Sequence, residues 1–573
     1  MPTVFVNGQQ RQYAKGTTFE KIVEEFQPSY DNGIALVYFN RKMRELNKKL
    51  DRDGVVSFIT TKDSAGHLAY VRTATLMMVK AVTDLTGTTG VKKTFPLQVK
   101  VEFTLGDAYF CTLHGELPEN AKDLGLFLSD DGEIFADEVF ADLVHEKMEE
   151  ISKRNSPISK KTYPIDDAVE LFRRQNMEDK IELFRFRRSS TVNVYNLEGY
   201  YDYFYGYMLP STGYVTQFDI IPYEGGFLLN LPSAEHPDRL SEFEDRPSLF
   251  DQLMLSTEWG KLVNIETVGD LNREICSGNI SDMILVQEAL QERRIGEIAE
   301  QIFDDEDVRV VLVAGPSSSG KTTFSHRLAI QLRSFGLNPH ILSMDNWFLP
   351  RERTPIDEDG NYNFDVLEAL DLDLFNENMV ELLNGEEVEL PTFDFKAGKR
   401  RYKGNTMTIG PDDILIVEGI HGLNPKTSAE IPNENKFKIY ISAMTSLNID
   451  AHNRISSSDT RLLRRIVRDS RSRGFDARET IAGWKKVREG EEKFIFPYQQ
   501  NVDAVFNSVL IYEQAVLKQF AEPLLFSVRN DCPEYYEAKR LLKFLEYFVG
   551  VDTAVIPANS ICREFVGGGC FLV

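Results

Sequence analysis

The sequence predicts a multidomain chain of α/β and α+β units, with a parallel α/β domain in its second half. Three observations carry that expectation. At 573 residues the chain is too long for one hydrophobic core, so several domains are expected. An apolar run, Val310 to Ala314, breaks at Gly315 and gives way to helical text from Thr323 to Ser334, a strand–loop–helix order. Residues 1 to 62 instead alternate short apolar runs around one helix, as a small α+β unit does.

Taken in order, Thr3 to Val6 and Gln10 to Tyr13 flank Asn7-Gly8, a dipeptide favoured in tight hairpin turns. Thr17-x-x-Glu20 reads as a capping box that opens a helix to about Phe26. Strand-like runs follow at Ile34 to Asn40 and Val55 to Thr60. This ββαβ-type order resembles the TGS domain, a ubiquitin-like module found at the start of threonyl-tRNA synthetases.

Residues 63 to 232 open with Ser64-Ala65-Gly66-His67-Leu68. An amphipathic helix is expected over Phe135 to Lys153, where Phe140, Leu143, Val144, Met148 and Ile151 recur at helical spacing. With Asp166 to Phe172 and the Gly199 to Gly213 stretch, these landmarks resemble the second additional (editing) domain of threonyl- and alanyl-tRNA synthetases. The resemblance implies four metal ligands, but only His67 remains; the other positions are Val71, Phe204 and Met208. One ligand of four cannot hold a metal, so an editing fold with apolar packing in place of metal chemistry is expected. Residues 233 to 303 read as a helical connector, with Ile284, Leu285, Ala289, Leu290, Ile295, Ile298, Ile302 and Phe303 on one broad face.

Residues 304 to 510 carry the chemistry. Gly315 to Thr322 spells Gly-x-x-x-x-Gly-Lys-Thr, the P-loop pattern, between a buried-type strand and a helix. Glycines at Gly315 and Gly320 let the backbone curl, and the N–H groups of Ser317, Ser318, Ser319 and Thr323 can face an anion. Lys321 can reach the β/γ-phosphates, and the Thr322 hydroxyl can meet Mg²⁺. ATP and Mg²⁺ are therefore the expected cofactors. A second apolar run ends at Ser343-Met344-Asp345, and a third, Ile414 to Val417, ends at Glu418. Acids at those places lie where open parallel sheets put their ligands. Tyr362-Asn363-Phe364-Asp365 and Pro391-Thr392-Phe393-Asp394-Phe395 lie between them. Arg461, Arg464, Arg465 and Arg468 recur at helical spacing ahead of Arg473, a crowding of like charge that asks for an anion.

These blocks, in this order, resemble the uridine kinase and phosphoribulokinase family from about Val308 to Ser508, uridine kinases best. The resemblance implies that Asp345 accepts the proton of a sugar 5′-hydroxyl, that Asp365 holds the ribose, and that the arginine-rich run is a lid over the triphosphate. On that basis Asp345, Lys321, Arg465 and Arg468 are the expected catalytic residues. Arg473 joins the P-loop in binding nucleotide, and Asp345, Asp365, Phe393 and Arg465 meet the acceptor. Thr322 and Glu418 meet the metal. Two departures bear on specificity. The Tyr and His with which that family reads a pyrimidine are Phe393 and Gly398 here, so those hydrogen bonds are lost. Lys396, Lys399, Arg400, Arg401 and Lys403 make the same loop basic, which suits either a phosphorylated or otherwise anionic acceptor or a solvated loop. Residues 511 to 573 read as a helical extension, with Tyr535 to Phe548 amphipathic, a Gly-rich end and no assigned chemistry.

A net charge of −24 argues against wholesale binding of nucleic acid or anionic membrane. The cysteines Cys111, Cys276, Cys532, Cys562 and Cys570 are scattered without a C-x-x-C, which suits a reducing cytosol. No apolar run approaches a membrane span, and Met1 to Gly8 lacks the layout of a secretion signal. The closing Cys570 to Val573 reads as an ordinary chain end. The expected protein is a cytoplasmic, ATP-dependent phosphotransferase acting on a nucleoside hydroxyl. The alternatives are a kinase of another sugar or sugar phosphate, and an RNA-associated NTP-binding regulator. RNA or a small ligand at the front domains and self-association remain open partners.

Overall fold

The computed structural model describes residues 1–87, 95, 97–357, 360, 362–394 and 397–571. It divides into two compact units. The first comprises Met1–Asp245, Thr267–Asp270 and Asn448–Arg454; the second comprises Arg246–Glu266, Leu271–Leu447 and Ile455–Val573.

The first unit begins with a five-stranded sheet in which Thr3–Val6 pairs antiparallel with Gln9–Gln12 and parallel with Gly54–Thr60. Asn7 and Gly8 both adopt positive φ in the connecting turn, as the dipeptide predicts. The helix spans Phe19–Phe26, and its cap is Thr18 rather than Thr17. The Thr17 hydroxyl is spent on the Ala14 carbonyl at 2.9 Å, and Glu20 accepts from Tyr214 at 3.3 Å, so neither half of the expected capping box is free. One strand, Lys42–Glu45, carried no sequence signal: its only buried apolar residue is Met43.

Behind this sheet lie the long helices Ser64–Thr86 and Glu138–Arg154, with a six-stranded and a three-stranded sheet. Phe140, Val144, Met148 and Ile151 are buried, as the periodicity of their helix requires. Val71, Phe204 and Met208 are buried too.

This unit also encloses a charged core. Lys180 Nζ lies 3.1 Å from Asp202 and 2.9 Å from Asp450, all three fully buried. His452 Nδ1 meets the other Asp202 oxygen at 2.7 Å. Burial alone would push the Asp202 carboxyl up, but His452 and Lys180 hold it below the usual carboxylate range.

The second unit is built on a five-stranded sheet, all parallel, in spatial order Asn338–Ser343, Asp413–Glu418, Val310–Ala314, Lys436–Ser442, Ala504–Asn507. The first strand in sequence thus sits at the centre with crossovers to both sides, which opens a crevice at its carboxyl end. Its side chains Val310 to Ala314 are all buried, as a parallel strand covered on both faces demands. The connector helix Ile280–Asp304 follows the sequence expectation in part. Ile284, Leu290, Ile295, Ile298 and Ile302 are buried as expected, whereas Leu285, Ala289 and Phe303 are exposed and the covered face also carries Glu288 and Gln291. Those polar groups bind the buried Arg327 of the helix Lys321–Ser334, at 3.3 Å and 3.4 Å.

Candidate active site

Parallel register aligns the ends of three strands. Val313 and Ser343 both pair with Glu418, so the acid stands level with the P-loop start on one side and the Met344–Trp347 turn on the other. Asp345 lies in that turn, one residue past Met344. The strand-end acids are therefore brought to the mouth of the P-loop.

Gly315 is required by close approach: a Cβ there would collide with the Ile441 carbonyl oxygen of the neighbouring strand. Ser318 takes a positive φ of 59°, which turns the loop back on itself. The buried hydroxyls of Ser318 and Ser319 have no hydrogen-bond partner among the described residues. Buried polar atoms left in that condition are costly, and a triphosphate would satisfy them. Lys321 Nζ donates to the Gly315 and Pro316 carbonyls at 3.0 and 3.3 Å, arched over the same cradle. Thr322 Oγ1 faces Glu418 Oε1 at 3.5 Å, a spacing that suits a shared divalent cation. The donor set fits an Mg²⁺-bound triphosphate.

The acids are half-open to the cleft yet crowded by protein, and burial dominates their electrostatics. It pushes the Glu418 carboxyl up to about 7, against the pull of Lys321 and with Asp345 and Glu564 adding to the rise. It also raises Asp345, opposed by Lys321 and Arg473. Lys321 is pulled below its usual range by the same burial. A carboxyl that holds its proton more tightly folded than unfolded favours folding below its unfolded pKa, and that contribution disappears as pH rises toward 7. Glu418→Gln should therefore stabilise the metal-free protein at pH 8, on the order of 2 kcal/mol, and not at pH 4. Thermal melts at the two pH values check this; an equal shift at both would contradict it.

The acceptor side is aromatic. Asp365 is exposed at the cleft mouth, and burial of its surroundings raises its carboxyl while Arg465 opposes the rise. Phe393 is buried, with ring centroids 5.7 Å from Phe348 and 6.3 Å from Phe364, so little of it faces an acceptor. Gly398 has φ +63°, and a Cβ there would lie 2.6 Å from Arg351 Nε, so Arg351 occupies the space that a side chain at 398 would need. Lys396 and Phe395 lie outside the described residues.

The arginine run forms the helix Ser457–Ser472, and its charges are partly neutralised within the protein. Arg461 forms a bidentate pair with Glu491 at 2.5 and 2.8 Å, and Arg464 a bidentate pair with Glu513. Arg465 donates to Ser317 Oγ at 2.8 Å and lies 3.3 Å from Asp469. Arg468 bonds Asp469 at 2.9 Å, and Arg473 lies 3.7 Å from the same acid. Arg461 and Arg464 thus need no external anion, whereas Arg465, Arg468 and Arg473 share the single carboxylate of Asp469 and leave an excess of positive charge, as the spacing suggested. Arg465 and Arg468 remain at the P-loop end, and Arg465 touches it.

Sequence reading missed three residues here. Glu491 accepts from Ser317 N–H at 3.0 Å, and Glu564 accepts from Thr323 N–H and Oγ1 at 3.1 and 2.9 Å. Neither acid has a local signal, being 174 and 241 residues from its partner. His421 is 1% exposed beside the Asp365 and Val366 main chain, and burial pulls it down to about 4, so it stays neutral at physiological pH.

Comparison with known proteins gives this stretch of sequence a family. Residues 310–513 match the model of the Phosphoribulokinase / Uridine kinase family. The uridine kinase of Staphylococcus haemolyticus (strain JCSC1435) is 30% identical over 197 residues, 34% of this chain and 86% of that protein. That of Staphylococcus aureus (strain JH9) matches to the same extent. Among solved structures, a possible uridine kinase from Bacillus stearothermophilus is 18% identical, covering 35% of this chain and 89% of that one with a TM-score of 0.23. Through the segment that builds the sheet, the P-loop and the acids around it, this chain belongs to the Phosphoribulokinase / Uridine kinase family and is a P-loop small-molecule kinase.

Proposed function

We propose that the protein transfers the γ-phosphoryl group of ATP to the hydroxyl of a nucleoside of the uridine or cytidine kind. The observation that carries this reading is Asp345, held at a strand end within the electrostatic field of Lys321 and Glu418 at the P-loop mouth. A nucleotide-binding switch has no use for a carboxylate there; a kinase does, because the acceptor hydroxyl must lose a proton as it attacks.

Each residue then has a task. The loop residues Ser317, Ser318, Ser319 and Thr323, with Gly315 and Gly320 shaping the loop, cradle the phosphates once Glu491 and Glu564 give up the N–H groups of Ser317 and Thr323, and Lys321 neutralises the transferring group. Thr322 and Glu418 would hold Mg²⁺, which would supply neutralisation of phosphate charge when bound. Asp345 orients the acceptor hydroxyl and takes its proton; its raised pKa makes it a better base. Asp365 and Arg465 position the sugar, with the largely buried Phe393 backing the acceptor side. Arg465, Arg468 and Arg473 face the charge that builds up on transfer.

A second reading, a kinase of another sugar or sugar phosphate, is favoured by the loss of base-reading groups at Phe393 and Gly398. The basic loop lends it less weight than its composition suggests. Arg400 is bound to Asp371 at 2.9 Å, Arg401 to Asp394 at 2.9 Å, and Lys399 lies 3.7 Å from Glu352. Those charges already have partners, which favours an acceptor without a phosphate. For the first unit, the reading is a TGS-like module followed by an editing-like fold that binds RNA or a small ligand without metal chemistry. Its burial of Val71, Phe204 and Met208 supports that loss. No helix among the described residues is long and apolar enough to cross a membrane. A cytoplasmic enzyme, with self-association open, is the reading we adopt.

The test is ADP release from Mg²⁺ and ATP across nucleosides, pentoses and pentose phosphates. ADP release that depends on a pyrimidine nucleoside is expected. Dependence on a pentose phosphate alone would move the assignment to the second reading, and no acceptor dependence would favour the regulator.

A further inference from the structure

The P-loop helix meets an anion supplied by the chain itself. Glu564 sits in the short helix Cys562–Val566, and one of its carboxylate oxygens accepts from both the N–H and the hydroxyl of Thr323. Thr323 follows the Lys-Thr of the motif, and the N–H groups of that first helical turn are the ones that cradle the α- and β-phosphates. One N–H cannot serve a carboxylate and a phosphate together, and two anions at that spot repel.

The placement is built rather than incidental. Glu564 is 8% exposed, and Ile561, Cys562 and Phe565 around it are fully buried. Ile561 Cγ2 lies 2.6 Å from where a Cβ on Gly320 would be, so the segment closes directly over the loop. The lid helix holds the segment from its other side. Arg471 donates to the carbonyls of Glu564 and Phe565 at 2.8 and 3.2 Å, and the Arg464 guanidinium stacks 4.7 Å over the Phe565 ring. Beyond it, the Phe571 ring lies parallel to His326 on the P-loop helix, 5.0 Å away and 7° from coplanar. The lid helix therefore grips the main chain and the Phe565 ring of the segment whose Glu564 carboxylate occupies the Thr323 N–H.

We propose that residues 561–567 are an autoinhibitory plug, with Glu564 standing in the α-phosphate position until the segment withdraws and nucleotide enters. The inference rests on nucleotide binding by the P-loop and not on which acceptor is phosphorylated. It makes nucleotide affinity depend on the fraction of molecules with the plug open. If the closed form holds nine molecules in ten, removing Glu564 should tighten binding about tenfold.

The experiment is titration of the full-length protein, with Mg²⁺, by a fluorescent ATP analogue, using the parent, Glu564→Gln and Glu564→Ala. Tighter binding by both variants is expected, about tenfold for Glu564→Ala. Hydrogen exchange on the parent, which needs no variant to fold, should show faster exchange of residues 561–567 when ATP saturates. Equal or weaker binding by both variants would overturn the plug and make Glu564 a helix cap or part of the nucleotide site. Unchanged protection of the segment with ATP bound would overturn it as well. Absence of binding by parent and variants alike would defeat the plug together with the nucleotide reading, whereas nucleotide binding without any acceptor turnover leaves the two clearly apart.

Discussion

Asp345→Asn is expected to lower kcat for acceptor phosphorylation by about 10²–10⁴-fold, with little change in nucleotide affinity. The amide keeps the shape and can still donate to the acceptor oxygen, but it cannot take the proton. Asp345 lies in the Met344–Trp347 turn, two residues past the Ser343 that pairs with Glu418, rather than within the P-loop, so the phosphate cradle at Gly315 to Thr323 is left intact. Burial raises the carboxyl, and Lys321 and Arg473 keep that rise in check. A base with a raised pKa gives a rate that climbs with pH through that pKa, so the parent's acidic limb should vanish in the variant. Steady-state kinetics from pH 5 to 9, beside nucleotide titration, check both parts. A variant that retains parental kcat would remove Asp345 from the chemistry.

The largest stability effect is expected far from that site. Lys180→Met should destabilise the first unit by about 3–5 kcal/mol, because removing one partner of a buried ion pair strands the others. Asp202 and Asp450 would then face each other without their shared cation, in a place with no access to water. His452 is held by Asp202, and the Asn453 side chain donates to both Asp450 oxygens at 2.8 Å, so the loss spreads along the Asn448–Arg454 segment. Substituting Asp202 and Asp450 by Asn in the same background should recover much of the loss, since neutral groups need no counter-charge. Thermal melting and limited proteolysis of the three proteins read this out. A Lys180→Met protein as resistant as the parent would contradict it.

What the sequence made legible was local. Gly315 to Thr322 declares itself because the turn, the helix start and the phosphate-binding groups are contiguous. Asp345 and Glu418 were legible because each ends an apolar run, and parallel register does the rest. The Asn7-Gly8 turn and the helix Glu138–Arg154 follow from turn chemistry and a 3.6-residue period in the same way.

What stayed hidden was carried by distance. Arg461 and Arg464 show their helical spacing in sequence, but not that Glu491 and Glu513 neutralise them from later helices. Glu564 is one acid in a tail with no pattern, and its meaning lies in a fold that returns it to Thr323. Lys180 and Asp450 are separated by nearly half the chain, so no window could pair them. The expected cap at Thr17 failed for a smaller reason of the same kind, since Tyr214, far along the chain, engages the Glu20 that the box required. Leu285 and Phe303 looked like core because apolar residues at helical spacing do; the face their helix buries holds Ile284, Leu290, Ile295, Ile298 and Ile302 as expected, but also Glu288 and Gln291, which bind Arg327.

The most direct test of the central claim is product identification. Full-length protein is incubated with ATP, Mg²⁺ and uridine or cytidine, and the nucleoside is recovered and weighed by mass spectrometry. The account predicts a nucleoside carrying one added phosphoryl group, formed by the parent and not by Asp345→Asn. ATP turned over at the same rate with and without acceptor, leaving the nucleoside unmodified, would contradict it.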